Sequence, residues 1–169
     1  MERLVAYRRA KAGDAAGIES LVQRCVGPWM PKSEIRIDVV RCAQNEGVGV
    51  HMVAFASGQV VGHVRAERKA GDFEHVAVIA ICVAPEIRRA GVGWSLLAGV
   101  EQWAVRNGIM RLEGICKVGD HAAAGLFQKA GYVCEALAMW GYARNRDGEF
   151  MSMQQWARYL VPRPNAAAE

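Results

Sequence analysis

The residues best suited to hold a ligand lie in one segment, Val83-Ala84-Pro85-Glu86-Ile87-Arg88-Arg89-Ala90-Gly91-Val92-Gly93-Trp94-Ser95-Leu96-Leu97. A run that is almost continuously apolar, His75 to Val83, ends there. The chain then turns at Ala84-Pro85, and a helical pattern begins at the glycines. The first amides of a helix have no intrahelical acceptor, and the helix dipole adds partial positive charge beside them. A pyrophosphate can accept those N–H groups. Gly91 and Gly93 suit close backbone approach or a φ that a Cβ would penalise, and Arg88 and Arg89 bring charge to the rim. Rival glycine motifs fit poorly. A dinucleotide fingerprint needs a third glycine where Leu96 stands, a P-loop needs Gly-Lys-Ser/Thr where Trp94-Ser95 stands, and a nucleophile elbow needs a glycine where Leu97 stands. The other reading of the glycines is tight packing at a helix start.

The elements that would position this turn can be read from periodicity. Leu4 to Arg8 reads as a short strand, and Asp14 stands where a helix N-cap belongs. Ile18, Leu21, Val22 and Cys25 then recur at helical spacing. After Pro28 and Pro31, Ser33 is a candidate cap for a second helix with Ile35, Val39 and Cys42 on one face. The apolar loop Trp29-Met30-Pro31 either lines a pocket or packs between the two helices. Val50 to Phe55 and Gln59 to Ala66 form a hairpin around Ala56-Ser57-Gly58. The apolar run to Val83 reads as a central strand buried on both faces. Gly93 to Arg106 is a helix with Leu96, Leu97, Val100 and Trp103 as its buried stripe, stopped by Asn107-Gly108. Ile109 to Cys116 is a strand. Asp120 precedes a helix carrying Ala123, Leu126, Phe127 and Ala130. Tyr132 to Arg144 and Glu149 to Arg158 are two strands about an Asp147-Gly148 turn. One mixed α/β sheet with helices on both faces follows from this order.

The 169 residues suit one domain. Composition is that of an ordinary soluble protein, 52% apolar and 22% charged. No apolar run is long enough to span a bilayer, and the N-terminus is too polar for a secretory signal; a cytoplasmic location is expected. The net charge of +4 is dispersed, which argues against nucleic-acid binding and suits a small polyanion. Five cysteines, Cys25, Cys42, Cys82, Cys116 and Cys134, are scattered without a C-x-x-C pair. That pattern fits neither a disulfide framework nor a thiolate zinc site. His51, His63, His75 and His121 are equally scattered, and no metal is expected.

The turn resembles the core signature of the GNAT superfamily of acyl-CoA N-acyltransferases, R/Q-x-x-G-x-G/A, met as Arg88-x-x-Gly91-x-Gly93 after a Val83-x-Pro85. A second stretch, Asp120-x-x-Ala123-x-x-Leu126-Phe127-x-Lys129-x-Gly131-Tyr132, is similar to the family's N-x-x-A-x-x-L-Y-x-K-x-G-F. Arg8-Arg9-Ala10 with Asp14 matches a common family opening. The resemblance implies a single domain over residues 1–161 with a frayed tail at 162–169, built on a mostly antiparallel sheet of about seven strands. It implies that Arg88, Arg89, Ala90, Gly91, Val92, Gly93 and Ser95 hold the pyrophosphate of acetyl-CoA. The backbone of Ile81, Cys82 and Val83 would pair with the pantetheine arm, and Asp120 and Phe127 would complete the cofactor site. The family's fourth and fifth strands splay apart, leaving backbone groups that need another partner.

Direct transfer needs a free amine, and lysine-like amines titrate near ~10.4, so a base or a water chain to one is expected. Some relatives carry an acid or histidine in the middle of the fourth strand; here Val76-Ala77-Val78-Ile79-Ala80 offers nothing titratable. The candidates are Glu113, then Glu74 and His75. Glu113 reads equally as a surface carboxylate paired with a neighbouring Arg or Lys, and His75 as a surface residue of the strand end. Phe127 stands where many relatives have a tyrosine that protonates the leaving thiolate, and a phenyl ring has no such proton. Asp120 replaces the usual asparagine. Cys82 beside the thioester would allow an acyl-cysteine route, against the commoner role of an inert packed thiol. Trp29, Met30, His63, Arg65, Trp140 and Tyr142 are candidates to line the acceptor pocket, or to serve as core and surface. The expected activity is acetyl transfer from acetyl-CoA to a primary amine of a small molecule or a protein. The alternative is a non-catalytic acyl-CoA sensor. Dimerisation through the C-terminal strands is a further expectation.

Overall fold

The computed structural model describes residues 4–25, 32–145 and 147–161. Trp29, Met30 and the 162–169 tail lie outside the described residues, as does the side chain of Tyr142. Strand β1 (Ala6–Arg9) leads through a 3₁₀ turn into helix α1 (Ala15–Cys25). Helix α2 (Lys32–Gln44) is followed by β2 (Gly49–Ala56), β3 (Gln59–Arg68) and β4 (Val76–Val83). Then come α3 (Val92–Arg106), β5 (Arg111–Lys117), α4 (His121–Lys129), β6 (Val133–Arg144) and β7 (Phe150–Tyr159). The seven strands form one sheet in the order β1-β2-β3-β4-β5-β7-β6, with β4 and β5 parallel and every other pair antiparallel. The expected mixed, mostly antiparallel sheet with helices on both faces is observed.

Adjacent residues on a strand point to opposite faces, and β3 shows how the helices are shared. Gly62 faces α3, where a Cβ would meet Val92 and Leu96. His63 and Arg65 face the other way, toward α1 and α2. The α3 stripe of Leu96, Leu97, Val100 and Trp103 is fully buried with Val64, Ala66, Ala77 and Leu112. The β2–β3 turn puts Ser57 at φ 51° and Gly58 at φ 74°, the doubly left-handed geometry that matches strand twist.

Two local expectations are corrected. Asp14 ends the 3₁₀ turn; its carboxylate accepts from the Lys11 amide at 2.7 Å and from Arg8 at 2.6 and 2.9 Å. The Arg8 guanidinium holds that carboxyl below its ordinary pKa. The second correction concerns β4, which is not buried along its whole length. Ala80 is exposed and Ile81 to Val83 are only half-buried, because β5 pairs with β4 from Val76↔Arg111 to Ile79↔Gly114 and no further. Trp140 sits three-quarters exposed on edge strand β6, its ring tilted against Phe150 at 5.2 Å, as the surface reading of that residue allows. Among the described residues no helix is long and apolar enough to cross a membrane.

Candidate functional site

The parting of β4 and β5 creates a wedge. Beyond Ile79, β4 remains bonded only to β3, with Ala80 opposite Arg65, Cys82 opposite His63 and Val83 opposite Gly62. Beyond Gly114, β5 remains bonded only to β7, with Ile115 opposite Gln155 and Lys117 opposite Met153. Each strand thus turns a ladder edge toward the gap, and such edges are obligate hydrogen-bonding surfaces.

The turn at the end of β4 leads into α3 at the mouth of this wedge. Pro85 to Ile87 form a short 3₁₀ turn, and Arg88 Nε returns to the Val83 carbonyl at 3.1 Å. Arg89 takes φ 67° and Gly91 φ 79°, both left-handed. Gly91 therefore answers a conformational demand, since nothing lies within 4 Å of where its Cβ would be. Gly93 does not: its Cβ would fall 2.9 Å from Leu126 of α4, so this glycine lets the two helices approach. Of the two readings of the glycines, ligand approach and packing, Gly93 fits packing. The amide of Arg88 donates to Pro85 at 3.3 Å and that of Ser95 to Gly91 at 3.0 Å. Among the described residues no hydrogen bond engages the amides of Arg89 to Trp94. The free donors are thus a narrower set than Arg88 to Ser95.

Asp120 caps α4, its Oδ1 accepting the Ala123 amide at 3.0 Å. Phe127 is 2% exposed, packed on Tyr132, Trp156 and Gly114 beneath the point where β4 and β5 part. The thiol of Cys82 shares a hydrogen bond with Cys25; that bond and burial push Cys82 up, leaving it a poor nucleophile. The same bond, with Arg88 and Arg24 nearby, draws Cys25 down to about 7.

The expected bases do not gather at the wedge. Glu74 and His75 are exposed at the opposite end of β4. Glu113 adjoins the wedge, but Lys69 Nζ and Arg111 Nε each hold one of its oxygens at 2.7 Å. Burial favours its neutral acid, yet these two cations keep the carboxyl below its ordinary range. Each oxygen of this carboxylate is thus engaged by a cation rather than left open to the wedge. The geometry matches the reading of Glu113 as an ion-paired residue.

The α1–α2 face holds a cluster that sequence reasoning did not assemble. A cavity of ≈ 280 Å³ is walled by Val22, Ile35, Ile37 and Arg41, with Asp38, His51, His63 and Arg65 inside. His51 Nδ1 meets His63 Nε2 at 2.9 Å, and His51 Nε2 meets Asp38 Oδ2 at 3.0 Å. Arg65 and Arg41 approach the Asp38 carboxylate at 2.6 Å each. Burial opposes its charge, but Arg65, His51 and Arg41 together hold the carboxyl low. Burial pushes His51 below its ordinary range and His63 to about 3, so both rings are neutral at neutral pH. Asp38, Cys42 and His51 also bring donor atoms within 4.8 Å of one another. Two guanidiniums on the same carboxylate oppose a dication there, and the cluster reads as a hydrogen-bonded network. Of the expected acceptor residues, His63 and Arg65 line this cavity.

Compared with known proteins, residues 16–132 match the family described as Acetyltransferase (GNAT) family. A search of curated proteins by sequence finds no match. Among solved structures, a GNAT-family acetyltransferase from Streptococcus pneumoniae superposes with TM-score 0.81 at 22% identity, covering 93% of this chain and 100% of that one. The putative acetyltransferase yncA from Salmonella typhimurium, solved with its cofactor acetyl-CoA, gives 0.81 at 17%, covering 96% and 99%. A ribosomal-protein-alanine N-acetyltransferase from Brucella melitensis gives 0.79 at 19%, covering 92% and 99%. At these identities the structural likeness speaks to the fold.

Proposed function

Since the chain belongs to the acetyltransferase (GNAT) family, we propose that it moves an acetyl group from acetyl-CoA directly to a primary amine, both substrates being bound together. The observation that carries this reading is the join between the β4–β5 wedge and the turn at Arg89 to Trp94, where several amides point from one helix start without an acceptor. In this reading the turn takes the pyrophosphate, helped by the Arg88 and Arg89 side chains and the Ser95 hydroxyl. The free edge at Ile81 to Val83 pairs with the amides of the pantetheine arm, in the manner of an added strand. That places the thioester where β4 and β5 part, beside Ala80 and Gly114.

The amine then enters from the opposite face, through the cavity between α1, α2 and the β2–β3 surface. Its ≈ 280 Å³ and its mixture of aliphatic walls and buried polar groups support a small-molecule amine over a folded protein surface. One structural relative is named for a protein substrate, so it is the cavity rather than the fold that favours the choice. Phe127, which lacks a phenolic proton, supports a second reading as a non-catalytic acyl-CoA sensor.

Thiol release from acetyl-CoA across a panel of amino acids, polyamines and N-terminal peptides separates the two. Turnover with an amino acid or polyamine supports the enzyme. Tight acetyl-CoA binding with no turnover on any member supports the sensor.

A further inference from the structure

The hydrogen bonds in the α1–α2 cavity can run in one direction only. Asp38 is ionised and can only accept, so His51 Nε2 donates to Oδ2 across 3.0 Å. His51 is neutral, so its Nδ1 carries a lone pair and receives the Nε2–H of His63 at 2.9 Å. His63 is neutral as well, and its remaining lone pair is therefore on Nδ1. Among the described residues no hydrogen bond engages that nitrogen. The chain Asp38–His51–His63 thus presents one oriented acceptor atom at the cavity.

Its place in the sheet links it to the wedge. His63 is directly opposite Cys82, and Arg65 is opposite Ala80, the first β4 residue past the split. Directly opposed Cβ atoms are roughly 4.5–5.5 Å apart, so His63 borders the strand along which the thioester is placed. The other charged or titratable groups packed around the pair are Arg41 and Cys42 from α2, Arg65 and Glu67 from β3, and Cys82 backed by Cys25.

Resting on the acetyltransferase reading above, we propose that His63 is the catalytic residue that receives the amine's proton through Nδ1, with His51 and Asp38 as positioning residues that hold its tautomer. The amine binds as its free base, having left its ammonium proton to solvent, and its lone pair attacks the thioester carbon, forming the C–N bond and moving the carbonyl π pair onto oxygen. An N–H proton passes to His63 Nδ1. The oxygen pair then returns, the C–S bond breaks, and coenzyme A leaves as thiolate with that electron pair. The proton passes from His63 to the thiolate, giving the N-acetyl amine, the free thiol and a neutral ring. The amine bonded to the thioester carbon is a far stronger acid than a free ammonium, so a weakly basic imidazole suffices. Asp38, through His51, balances the transient cation. This route needs no acid or histidine on β4 and no hydroxyl at Phe127.

The test compares wild type with His63→Gln and His63→Ala on the amine panel, following thiol release, acetyl-CoA affinity by calorimetry and the amine KM. For His63→Gln, kcat is expected to fall by about 10²–10⁴-fold. Acetyl-CoA affinity and amine KM should stay within about threefold, and added imidazole should restore part of the His63→Ala rate. Wild-type kcat for His63→Gln across pH overturns the proposal, as does an acetyl-CoA-binding His63→Ala enzyme that imidazole fails to rescue. Should the variants not fold, ¹⁵N NMR of the wild type decides. Unprotonated Nδ1 with protonated Nε2 on His63 supports the proposal, and the reverse tautomer overturns it. A wild type that binds acetyl-CoA yet acetylates no amine removes the transferase reading and this proposal together, whereas an active His63→Gln enzyme removes this proposal alone.

Discussion

The ring tip of Phe127 rests on Gly114: a Cβ on that glycine would lie 2.6 Å from Phe127 Cζ and 3.3 Å from Ile79. Gly114 pairs with Ile79 in the last rung before β4 and β5 part. The aromatic ring of α4 therefore sets how closely the helix approaches the root of the wedge. Gly114→Ala is expected to destabilise by about 1–3 kcal/mol through overpacking. Phe127→Leu in the same chain should recover much of that loss, a coupling measured by urea unfolding of the four members of a double-mutant cycle. Additive effects would show that the ring does not bear on the glycine.

Gly91 and Gly93 should fail for different reasons. Gly91→Ala puts a Cβ on a residue at φ 79°, with an expected cost of about 1–2 kcal/mol and weaker acetyl-CoA binding. Gly93→Ala collides with Leu126, so Leu126→Ala should relieve it and leave the Gly91→Ala defect untouched. Calorimetry and thermal unfolding on the three single and two double variants check this. Rescue of both by Leu126→Ala would contradict the distinction.

Stability should decline on mild acidification. The folded pKa of His63 is about 3, below the unfolded value of about 6.5. Between those values the unfolded chain binds the extra proton, so stability is complete above about pH 6.5 and is lost as pH falls, at up to about 1.4 kcal/mol per unit. His51 acts in the same direction. Asp14, Asp38 and Glu113, whose pKa values are lowered, add a separate loss below about pH 4. Urea midpoints for wild type and His63→Leu at several pH values should show the variant flatter between about pH 4.5 and 6.5 and equally labile below. Identical slopes would contradict the buried neutral pair.

Glu113→Gln is expected to keep wild-type turnover within about threefold across pH, because Lys69 and Arg111 already occupy the carboxylate. The change should appear in stability. A steep fall in kcat at low pH, absent from wild type, would return Glu113 to the chemistry.

The sequence showed the pattern of elements and the turn with considerable clarity, because the physical signals are local. The α3 stripe of Leu96, Leu97, Val100 and Trp103 and the left-handed demand at Gly91 are each written in a few adjacent residues. The histidine network is not local. Counting back from Ala56↔Gln59 would place His51 opposite Val64 and His63 on the other face of the sheet. The register shift at Ala54/Phe55 makes Val61 an extra residue on β3, and one extra residue exchanges the faces of everything beyond it. His51 then lies opposite Arg65, on the face of His63. Asp38 reaches them from α2, where its neighbours Ile35, Val39 and Cys42 marked the helix face but not its target. The half-open end of β4 was hidden for a related reason: its apolar sequence records burial at Ala77 and Ile79, while its exposure at Ala80 depends on where β5 departs.

In the proposed reading the amides of Arg89 to Trp94 receive the pyrophosphate of coenzyme A. Proton–nitrogen correlation spectra of the labelled protein, titrated with coenzyme A and separately with pantetheine, test it most directly. Coenzyme A should shift those amides strongly and pantetheine should leave them nearly unmoved while perturbing Ile81 to Val83. Saturable coenzyme A binding that leaves Arg89 to Trp94 unshifted would show that the pyrophosphate is held elsewhere.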